Sequence, residues 1–231
     1  MALPVRPRGV LFDLDGTLLD TAADLIAACH AAAAESGMQA VAADELRPCI
    51  SGGASAMLAR LLERQQAPTF RTDSSRMLES MLDHYQRNIA IHTRLFAGME
   101  HVLDALQTRA IPWGIVTNKT ERFTKPLLEA LDFGHRPRCV ISGDSLPQKK
   151  PHPLPMLEAS RLLGCAPADC AYLGDSRVDI EAGRSAGMGT VAAAYGYVDG
   201  TDPAGSWGAD AVIDHPLQFL DCLDGGRPVP W

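Results

Sequence analysis

The sequence predicts an α/β fold, in which a parallel β-sheet forms the core and an all-helical segment is inserted after the first strand. Short apolar runs bounded by Gly, Pro or Asp are typical of buried strands, and they occupy residues 10–12, 114–116, 139–141, 171–173, 190–193 and 211–213. Helical patterns of crossover length separate the later runs, which indicates a parallel sheet covered on both faces. About 100 residues separate the first two runs, whereas one crossover needs only about a dozen.

The long interval after the first strand has the apolar spacing of helices. This spacing predicts helices over residues 21–35, 54–66 and 74–88, and then a helix over 99–109 that returns the chain to the sheet. Three further helices are predicted over 121–131, 154–163 and 178–186. Thr21 followed by Asp24 is typical of a capping box, with Asp in place of the usual Glu or Gln. We therefore expect a core formed by residues 1–17 and 93–231 and a helical cap domain formed by residues 18–92.

The composition is that of an ordinary globular protein, with 46% hydrophobic and 21% charged residues. A formal net charge of −7 argues against a nucleic-acid partner or an anionic membrane surface, since either would call for a clustered basic surplus. The cysteines form no C-x-x-C pair and the histidines no H-x-x-x-H pair, so we expect no zinc site. The chain shows no signal-peptide pattern and no run of about 18 apolar residues, so we expect a cytoplasmic protein. Its oligomeric state is not indicated.

Charged and polar segments stand where several predicted strands end. DLDGT occupies 13–17 after the first strand, TNK occupies 117–119 after the second, and GDSRVD occupies 174–179 after the fourth. A further segment, KKP at 149–151, precedes the helix predicted over 154–163. The carboxyl ends of parallel strands meet at one edge of the sheet, which is the usual place for ligands. We therefore expect these four segments to converge on one site.

The two aspartates of DLDGT suit phosphoryl transfer. A carboxylate such as that of Asp13 can attack a phosphoryl group and give an aspartyl phosphate. The obstacle is repulsion, because an anion about 4 Å from a phosphate dianion costs roughly 8 kcal/mol at an effective dielectric of about 20. A cation is therefore expected between them. Asp13, a backbone carbonyl near Asp15, and Asp175 offer the oxygen ligands that Mg²⁺ prefers.

The other polar residues of these segments complete the predicted chemistry. Lys150 would offset more of the negative charge, and the side chains of Thr117 and Asn118 could hydrogen-bond phosphoryl oxygens. Asp15 can protonate the leaving alcohol and later deprotonate the water that hydrolyses the intermediate. Lys119 is expected at the surface unless closure of the cap brings it inward.

In their order along the chain, the four segments resemble the four motifs of haloacid-dehalogenase-superfamily phosphatases, and the resemblance spans about residues 9 to 217. It implies a Rossmann-like core and a type 1 helical cap. It also implies that Asp13 is the nucleophile, that Asp15 is the acid/base, and that Asp175 ligates Mg²⁺. Asp179 and Ser176 would lie beside the metal and orient the site. An acid at position 15 argues against the dehalogenases of the superfamily, which lack it.

Further segments favour the phosphoglycolate-phosphatase group of the superfamily. WGIVTNK at 113–119, KKPHP at 149–153 and YGY at 195–197 are similar to that group. ISGGA at 50–54 and WGADAVIDHP at 207–216 resemble a branch that acts on N-acetylmuramate 6-phosphate. The resemblance thus implies hydrolysis of a small phosphorylated metabolite, with 2-phosphoglycolate and N-acetylmuramate 6-phosphate as candidate substrates. Ser51, Gly52 and Gly53 could present backbone N–H groups to a substrate anion, or could only start a cap helix.

Two other functions are compatible with part of these residues. A phosphosugar mutase would share Asp13 and Asp15 but would retain the phosphoryl group in its product. A receiver-like regulatory module also carries aspartates, a threonine and a lysine on a parallel sheet. The helical insert of about 70 residues and the acid at position 15 argue against the receiver-like module.

Overall fold

The computed structural model describes residues 6–65, 74–133 and 136–224. These residues contain eight strands: β1 (Gly9–Phe12), β2 (Leu19–Asp20), β3 (Arg94–Leu95), β4 (Trp113–Val116), β5 (Cys139–Ile141), β6 (Cys170–Gly174), β7 (Gly189–Ala193) and β8 (Ala211–Ile213). Six of them form one sheet in the order β5-β4-β1-β6-β7-β8, and all neighbouring pairs are parallel. The six predicted strands are confirmed, each to within one residue at either end.

Strand β1 lies at the centre of the sheet, between β4 and β6. Val10 is level with Trp113 on one side and with Ala171 on the other, and all four residues of β1 are buried. Backbone pairing continues just past the end of the strand, where the N–H of Asp13 donates to the carbonyl of Leu173 at 2.9 Å. The segments that follow β1, β4 and β6 therefore leave the sheet at the same edge.

The described residues also contain nine α-helices: α1 (Ala22–Glu35), α2 (Ala43–Leu46), α3 (Gly53–Arg64), α4 (Ser74–Arg87), α5 (Met99–Thr108), α6 (Glu121–Ala130), α7 (Leu154–Leu163), α8 (Arg177–Ser185) and α9 (Phe219–Leu223). Val10 and Phe12 pack in one apolar cluster with α5, α6 and α9, whereas Leu11 packs in another with α7 and α8. Because successive side chains of a strand point to opposite faces, helices cover both faces of the sheet, as predicted. In the part of the chain that the structure describes, no helix combines the length and apolar character needed to cross a bilayer.

Helices α1–α4 form a separate unit between β2 and β3. They surround their own cluster of buried apolar side chains, which includes Cys29, Met57 and Met81. Strands β2 and β3 pair antiparallel, with Leu19 opposite Leu95, where the chain enters and leaves this unit. The predicted fold, a parallel sheet with a helical insert, is confirmed. The expected bounds of the cap, residues 18–92, stay a prediction, and residues 66–73 of it lie outside the described residues.

The capping box expected at the start of α1 is wrong. Thr21 makes no side-chain bond to the helix end, and its hydroxyl donates instead to Asp15 Oδ1 at 2.6 Å. Asp24 accepts hydrogen bonds from the backbone N–H groups of His92 at 3.0 Å and Thr93 at 2.9 Å, where the chain leaves the helical unit. Asp24 thus contacts residues that are distant along the chain, and Thr21 contacts the loop after β1 instead of its own helix. Local spacing does not reveal such contacts.

Candidate active site

Three carboxylates meet at the carboxyl edge of the sheet. Asp13 follows β1, Asp175 follows β6, and Asp179 lies in the first turn of α8. One oxygen of each carboxylate lies within 4.8 Å of the other two. Such a group of buried oxygen donors fits a hard divalent cation. The carboxylate of Asp15 is not part of this group, and the ligand expected at this position from the sequence is a backbone carbonyl.

The ammonium group of Lys150 lies beside these carboxylates. Its Nζ is 2.8 Å from Asp13 Oδ1 and 2.6 Å from Asp179 Oδ1, and it also donates to the Val116 carbonyl at 2.9 Å. The lysine side chain is only 2% exposed. Burial lowers the pKa of Lys150, but the attraction of the two aspartates outweighs burial and places this pKa above its ordinary value. The amine therefore stays protonated.

Burial raises the pKa of Asp13 and that of Asp175 above their ordinary values. At Asp13 the charge of Lys150 opposes the rise, and the charge of Asp179 adds to it. At Asp175 the charges of Asp13 and Asp179 both add to the effect of burial. The site thus concentrates more negative charge than one lysine neutralises. A bound cation would relieve this repulsion.

Neighbouring groups hold Asp175 in position. The backbone N–H of Tyr197 donates to Oδ2 at 2.8 Å, and the hydroxyl of Thr17 donates to Oδ1 at 3.3 Å. Gly16 has a φ of 86°, and a Cβ at this position would lie 2.0 Å from Asp175 Oδ2. Both the left-handed backbone and the close approach therefore require glycine at position 16.

Asp179 and Ser176 form a capping box at the start of α8. Asp179 Oδ2 accepts from the backbone N–H of Ser176 at 3.1 Å and from its hydroxyl. Its other oxygen, Oδ1, accepts from Lys150 and from the hydroxyl of Tyr172 at 2.9 Å. Tyr172 belongs to the apolar run that predicted β6, and this run indicated only a buried position for it. Its hydroxyl in fact joins the site.

Asp15 has a different set of partners. Lys119 Nζ lies 3.0 Å from Oδ1 and 3.1 Å from Oδ2, and the hydroxyl of Thr21 also donates to Oδ1. The side chain of Lys119 is 8% exposed, so this residue is not at the surface but has turned inward beneath the helical unit. Burial lowers the pKa of Lys119, and the charge of Asp15 outweighs burial, which leaves this pKa above its ordinary value.

Thr117 and Asn118 follow β4 at the same edge. The hydroxyl oxygen of Thr117 accepts from the backbone N–H of Lys119 at 3.1 Å, an arrangement that leaves the hydroxyl hydrogen for another acceptor. The side-chain amide of Asn118 exchanges two hydrogen bonds with the main chain of Lys150, at 3.0 and 3.1 Å. Asn118 therefore fixes the loop that carries Lys150.

A cavity of about 410 Å³ lies between this edge of the sheet and the helical unit. Asp13, Asp15 and Thr117 line its floor. The opposite wall consists of apolar and aromatic side chains of the helical unit: Leu25, Ile50, Met57, Leu78, Leu82 and Tyr85. The cavity thus has one polar end, where the carboxylates lie, and one largely apolar end.

Ser51, Gly52 and Gly53 also line the cavity. Helix α3 begins at Gly53, and the hydroxyl of Ser51 donates to Asp175 Oδ2 at 3.3 Å. This segment therefore starts a cap helix and also reaches the carboxylates of the core. The two roles considered for it from the sequence are compatible, and anion binding by its N–H groups stays a prediction.

A sequence model of the haloacid dehalogenase-like hydrolases matches residues 10–193 of the chain. The chain belongs to this family. The N-acetylmuramic acid 6-phosphate phosphatase of Pseudomonas putida is 42% identical over 221 residues, which cover 95% of this chain and 97% of that protein. The phosphoglycolate phosphatase of Xanthomonas campestris pv. campestris is 41% identical over 215 residues, which cover 93% and 96%.

A solved structure extends the similarity to the fold of the whole chain. The crystal structure of a predicted phosphoglycolate phosphatase from Haemophilus somnus superposes with a TM-score of 0.84 at 25% identity, and the match covers 95% of this chain and 99% of that one. The family predicted from the four segments is therefore confirmed. Within this family, one relative is named for each of the two phosphatase groups that the sequence resembles.

Proposed function

We propose that this haloacid dehalogenase-like hydrolase is an Mg²⁺-dependent phosphatase that acts on a phosphate monoester of a small metabolite. The observation that carries the proposal is the position of Asp13. Its carboxylate stands at the carboxyl edge of the sheet, pairs with the ammonium of Lys150 at 2.8 Å, and lines the cavity. The names of the two relatives, both phosphatases, support the same class of reaction.

In the proposed reaction, the carboxylate of Asp13 attacks the phosphorus atom. The bond between phosphorus and the ester oxygen breaks, and Asp15 gives a proton to the leaving alcohol. Asp15 then takes a proton from the water that attacks the aspartyl phosphate. The bond between phosphorus and the Asp13 oxygen breaks, which frees the carboxylate and releases inorganic phosphate. Lys119 and Thr21, which donate to Asp15 at 3.0 and 2.6 Å, hold its carboxylate in place for both transfers.

The residues that would hold Mg²⁺ are Asp13, Asp175 and a backbone carbonyl near Asp15. When bound, the ion supplies positive charge between the Asp13 carboxylate and the substrate phosphate, where repulsion would otherwise cost roughly 8 kcal/mol. The group of carboxylate oxygens within 4.8 Å of one another supports this role. Asp179 and Ser176 orient the site from beside these ligands through the capping box at the start of α8.

The phosphate group itself is bound by the Thr117 hydroxyl and the Lys150 ammonium. Asn118 contributes by fixing the main chain of Lys150, which its amide contacts at 3.0 and 3.1 Å. Residues 18–92 act as a cap over the leaving group. Within the cap, the segment 51–53, which lines the cavity, presents polar groups to the substrate.

The candidate substrates are 2-phosphoglycolate and N-acetylmuramate 6-phosphate, because relatives of both names are about equally similar to the chain. Either substrate is a small phosphorylated metabolite. We also propose a cytoplasmic location. All six cysteines lie within the described residues and none forms a disulfide, which is typical of a reducing compartment.

Phosphate release in the presence of Mg²⁺ tests the proposal, with acetyl phosphate, 2-phosphoglycolate and N-acetylmuramate 6-phosphate as substrates. We expect Asp13→Asn to keep the circular dichroism spectrum of the wild type and to release no phosphate above the blank. Asp104→Asn, at an exposed position of α5, is the matched control and should retain full turnover. Turnover by Asp13→Asn would contradict the assignment of the nucleophile.

Analysis of the products separates the proposal from the two other functions. A phosphosugar mutase would convert its substrate into an isomer that keeps the phosphoryl group, and it would release little free phosphate. A receiver-like module would accumulate a long-lived phosphoaspartate. We expect multiple turnovers with free phosphate as the product.

A further inference from the structure

Tyr197, in the loop after β7, contacts both the core site and the start of the helical unit. Its backbone N–H donates to Asp175 Oδ2 at 2.8 Å. Its hydroxyl accepts from the backbone N–H of Thr21 at 2.6 Å and donates to Asp20 Oδ1 at 2.9 Å. The residue is buried and is not among the described residues that line the cavity. Tyr197 therefore acts on a substrate only through its neighbours.

The Thr21 main chain, which the phenol of Tyr197 contacts, carries the hydroxyl that holds Asp15. Thr21 directly precedes α1 and is buried, and its hydroxyl donates to Asp15 Oδ1 at 2.6 Å. A buried backbone N–H needs an acceptor, so the bond to the phenol fixes the position of this main chain. The hydroxyl of Thr21 is only three covalent bonds from the same nitrogen. A shift of the N–H therefore moves the hydroxyl that contacts Asp15.

The ring of Tyr197 is itself held firmly. The guanidinium carbon of Arg47, which follows α2 in the helical unit, lies 4.9 Å from the ring centroid. The same guanidinium donates to the two carboxylate oxygens of Asp20 at 3.4 and 3.2 Å. The ring of Phe96 packs on Tyr197 with the centroids 6.3 Å apart. The phenol is thus a fixed point to which the Thr21 main chain is attached.

We infer that Tyr197 is a positioning residue for the acid/base Asp15, and that it acts through Thr21. The inference rests on the proposed phosphatase function. In the first step of that reaction, the bond from Asp13 to phosphorus forms, the bond to the ester oxygen breaks, and the proton of Asp15 passes to that oxygen. A general acid works only within hydrogen-bond reach of the oxygen that it protonates. A less firmly held Asp15 therefore impairs this proton transfer.

The chemistry of the leaving group distinguishes this role from a general structural one. An alkyl phosphate releases an alkoxide, a strong base that needs a proton as it leaves. Acetyl phosphate releases acetate, a carboxylate with a pKa of about 4, which leaves without a proton. The value of kcat/KM reports the formation of the aspartyl phosphate, the step in which Asp15 is the acid. A defect in this acid lowers kcat/KM for the alkyl phosphate alone, whereas a loosened metal site or fold lowers both values.

The experiment measures the ratio of kcat/KM for an alkyl phosphate to kcat/KM for acetyl phosphate. The alkyl phosphate is whichever of 2-phosphoglycolate and N-acetylmuramate 6-phosphate the wild type hydrolyses faster. We expect Asp15→Asn, which removes the acid, to lower this ratio by about a hundredfold or more. Tyr197→Phe and Thr21→Val should each lower it by about tenfold, the size of one hydrogen bond. Thr21→Ser keeps the hydroxyl and should stay within about twofold of the wild type.

Two further variants test the route through Thr21. Tyr195→Phe is the matched control, because its hydroxyl belongs to the same loop but donates to the Thr17 carbonyl at 3.0 Å, and it should leave the ratio unchanged. In the double variant of Tyr197→Phe and Thr21→Val, the ratio should be within about twofold of that of Thr21→Val alone, since both changes remove parts of one chain of contacts. Losses that multiply in the double variant would show that Tyr197 does not act through Thr21 and would overturn the inference.

The remaining outcomes separate the inference from the proposed function. If folded Tyr197→Phe gave the ratio of Tyr195→Phe, the inference would be wrong while the phosphatase proposal stood. Should Tyr197→Phe lose the circular dichroism spectrum of the wild type, Arg47→Met takes its place. It changes a side chain that is 38% exposed and releases the ring of Tyr197, so an unchanged ratio in this variant would equally refute the inference. Phosphate release from acetyl phosphate alone, or from no compound, would overturn the proposed function and the inference together.

Discussion

The substitution Lys150→Met removes the ammonium group that contacts Asp13 and Asp179. Methionine keeps an unbranched side chain of similar length and carries no charge. In the structure, Nζ lies 2.8 Å from Asp13 Oδ1 and 2.6 Å from Asp179 Oδ1, and the lysine side chain is 2% exposed. The variant would leave both carboxylates without this cation, in a place where burial already raises the pKa of Asp13.

The expected loss in the free energy of unfolding follows from these contacts. Removing one partner of a buried ion pair costs about 3–5 kcal/mol. Two carboxylates lose the same partner here, which favours the upper half of this range. The side chain of Asp13 is 13% exposed, however, and residual hydration favours the lower half. We therefore expect a loss of about 4 kcal/mol. The free energy of unfolding of a domain is typically about 5–15 kcal/mol, so the variant should still fold.

The direction of the pKa shift of Lys150 sets the pH of the measurement. The pKa of this lysine lies above its ordinary value in the folded protein. A raised pKa contributes stability that is fully present below the ordinary value, about 10.4 for lysine, and is lost as the pH rises through the folded value. The contribution is therefore complete at about pH 7.5.

Urea unfolding followed by circular dichroism measures the loss. A chelator in the buffer prevents a metal ion from taking the place of the ammonium group. Lys149→Met is the matched control, because Lys149 is the exposed neighbour in the chain, and it should stay within about 0.5 kcal/mol of the wild type. If Lys150→Met were as stable as this control, the ammonium group would not hold the carboxylates together.

Three further predictions concern the metal, the loop after β1 and the cysteines. A chelator should stop phosphate release and added Mg²⁺ should restore it; full activity without metal would contradict the role proposed for Asp175. Gly16→Ala and Gly37→Ala both place alanine at a positive φ, but only the first puts a Cβ 2.0 Å from a carboxylate, so only Gly16→Ala should abolish turnover. Burial raises the pKa of four thiols to about 11 or 12, which leaves about one thousandth or less as thiolate at about pH 8. Mass spectrometry should find these four unmodified by iodoacetamide in the folded protein and modified after unfolding: Cys29, Cys139, Cys170 and Cys222.

The sheet and the position of the site could be predicted because each rests on a short stretch of sequence. Strands β4 and β6 are uninterrupted buried runs, and parallel strands place the residues that follow them at one edge. Asp13 and Asp175 could therefore be brought together without any knowledge of strand order. The same reasoning could not predict the hydrogen bond from the Thr21 hydroxyl to Asp15, because the local spacing of Thr21 fits a helix cap equally well.

The residues whose place the sequence left open, or to which it assigned no role, have neighbours that come from another unit of the fold. Lys119 lies two positions after a strand-end threonine, where either solvent or the cavity could receive its side chain. It turns inward because Asp15 and the ring of Tyr85 meet it there. Tyr85 in turn lies on a helix whose apolar spacing predicts only a buried face. Its place over the cavity depends on how α4 packs against the core, which periodicity alone does not specify.

Lys119 joins the core to the helical unit at the cavity. Its ammonium group contacts Asp15, the proposed acid/base, and also lies against the ring of Tyr85 in α4. A substitution at Lys119 would therefore disturb proton transfer at Asp15 and the packing of α4 against the core together, and its effect on kcat/KM could not be divided between them.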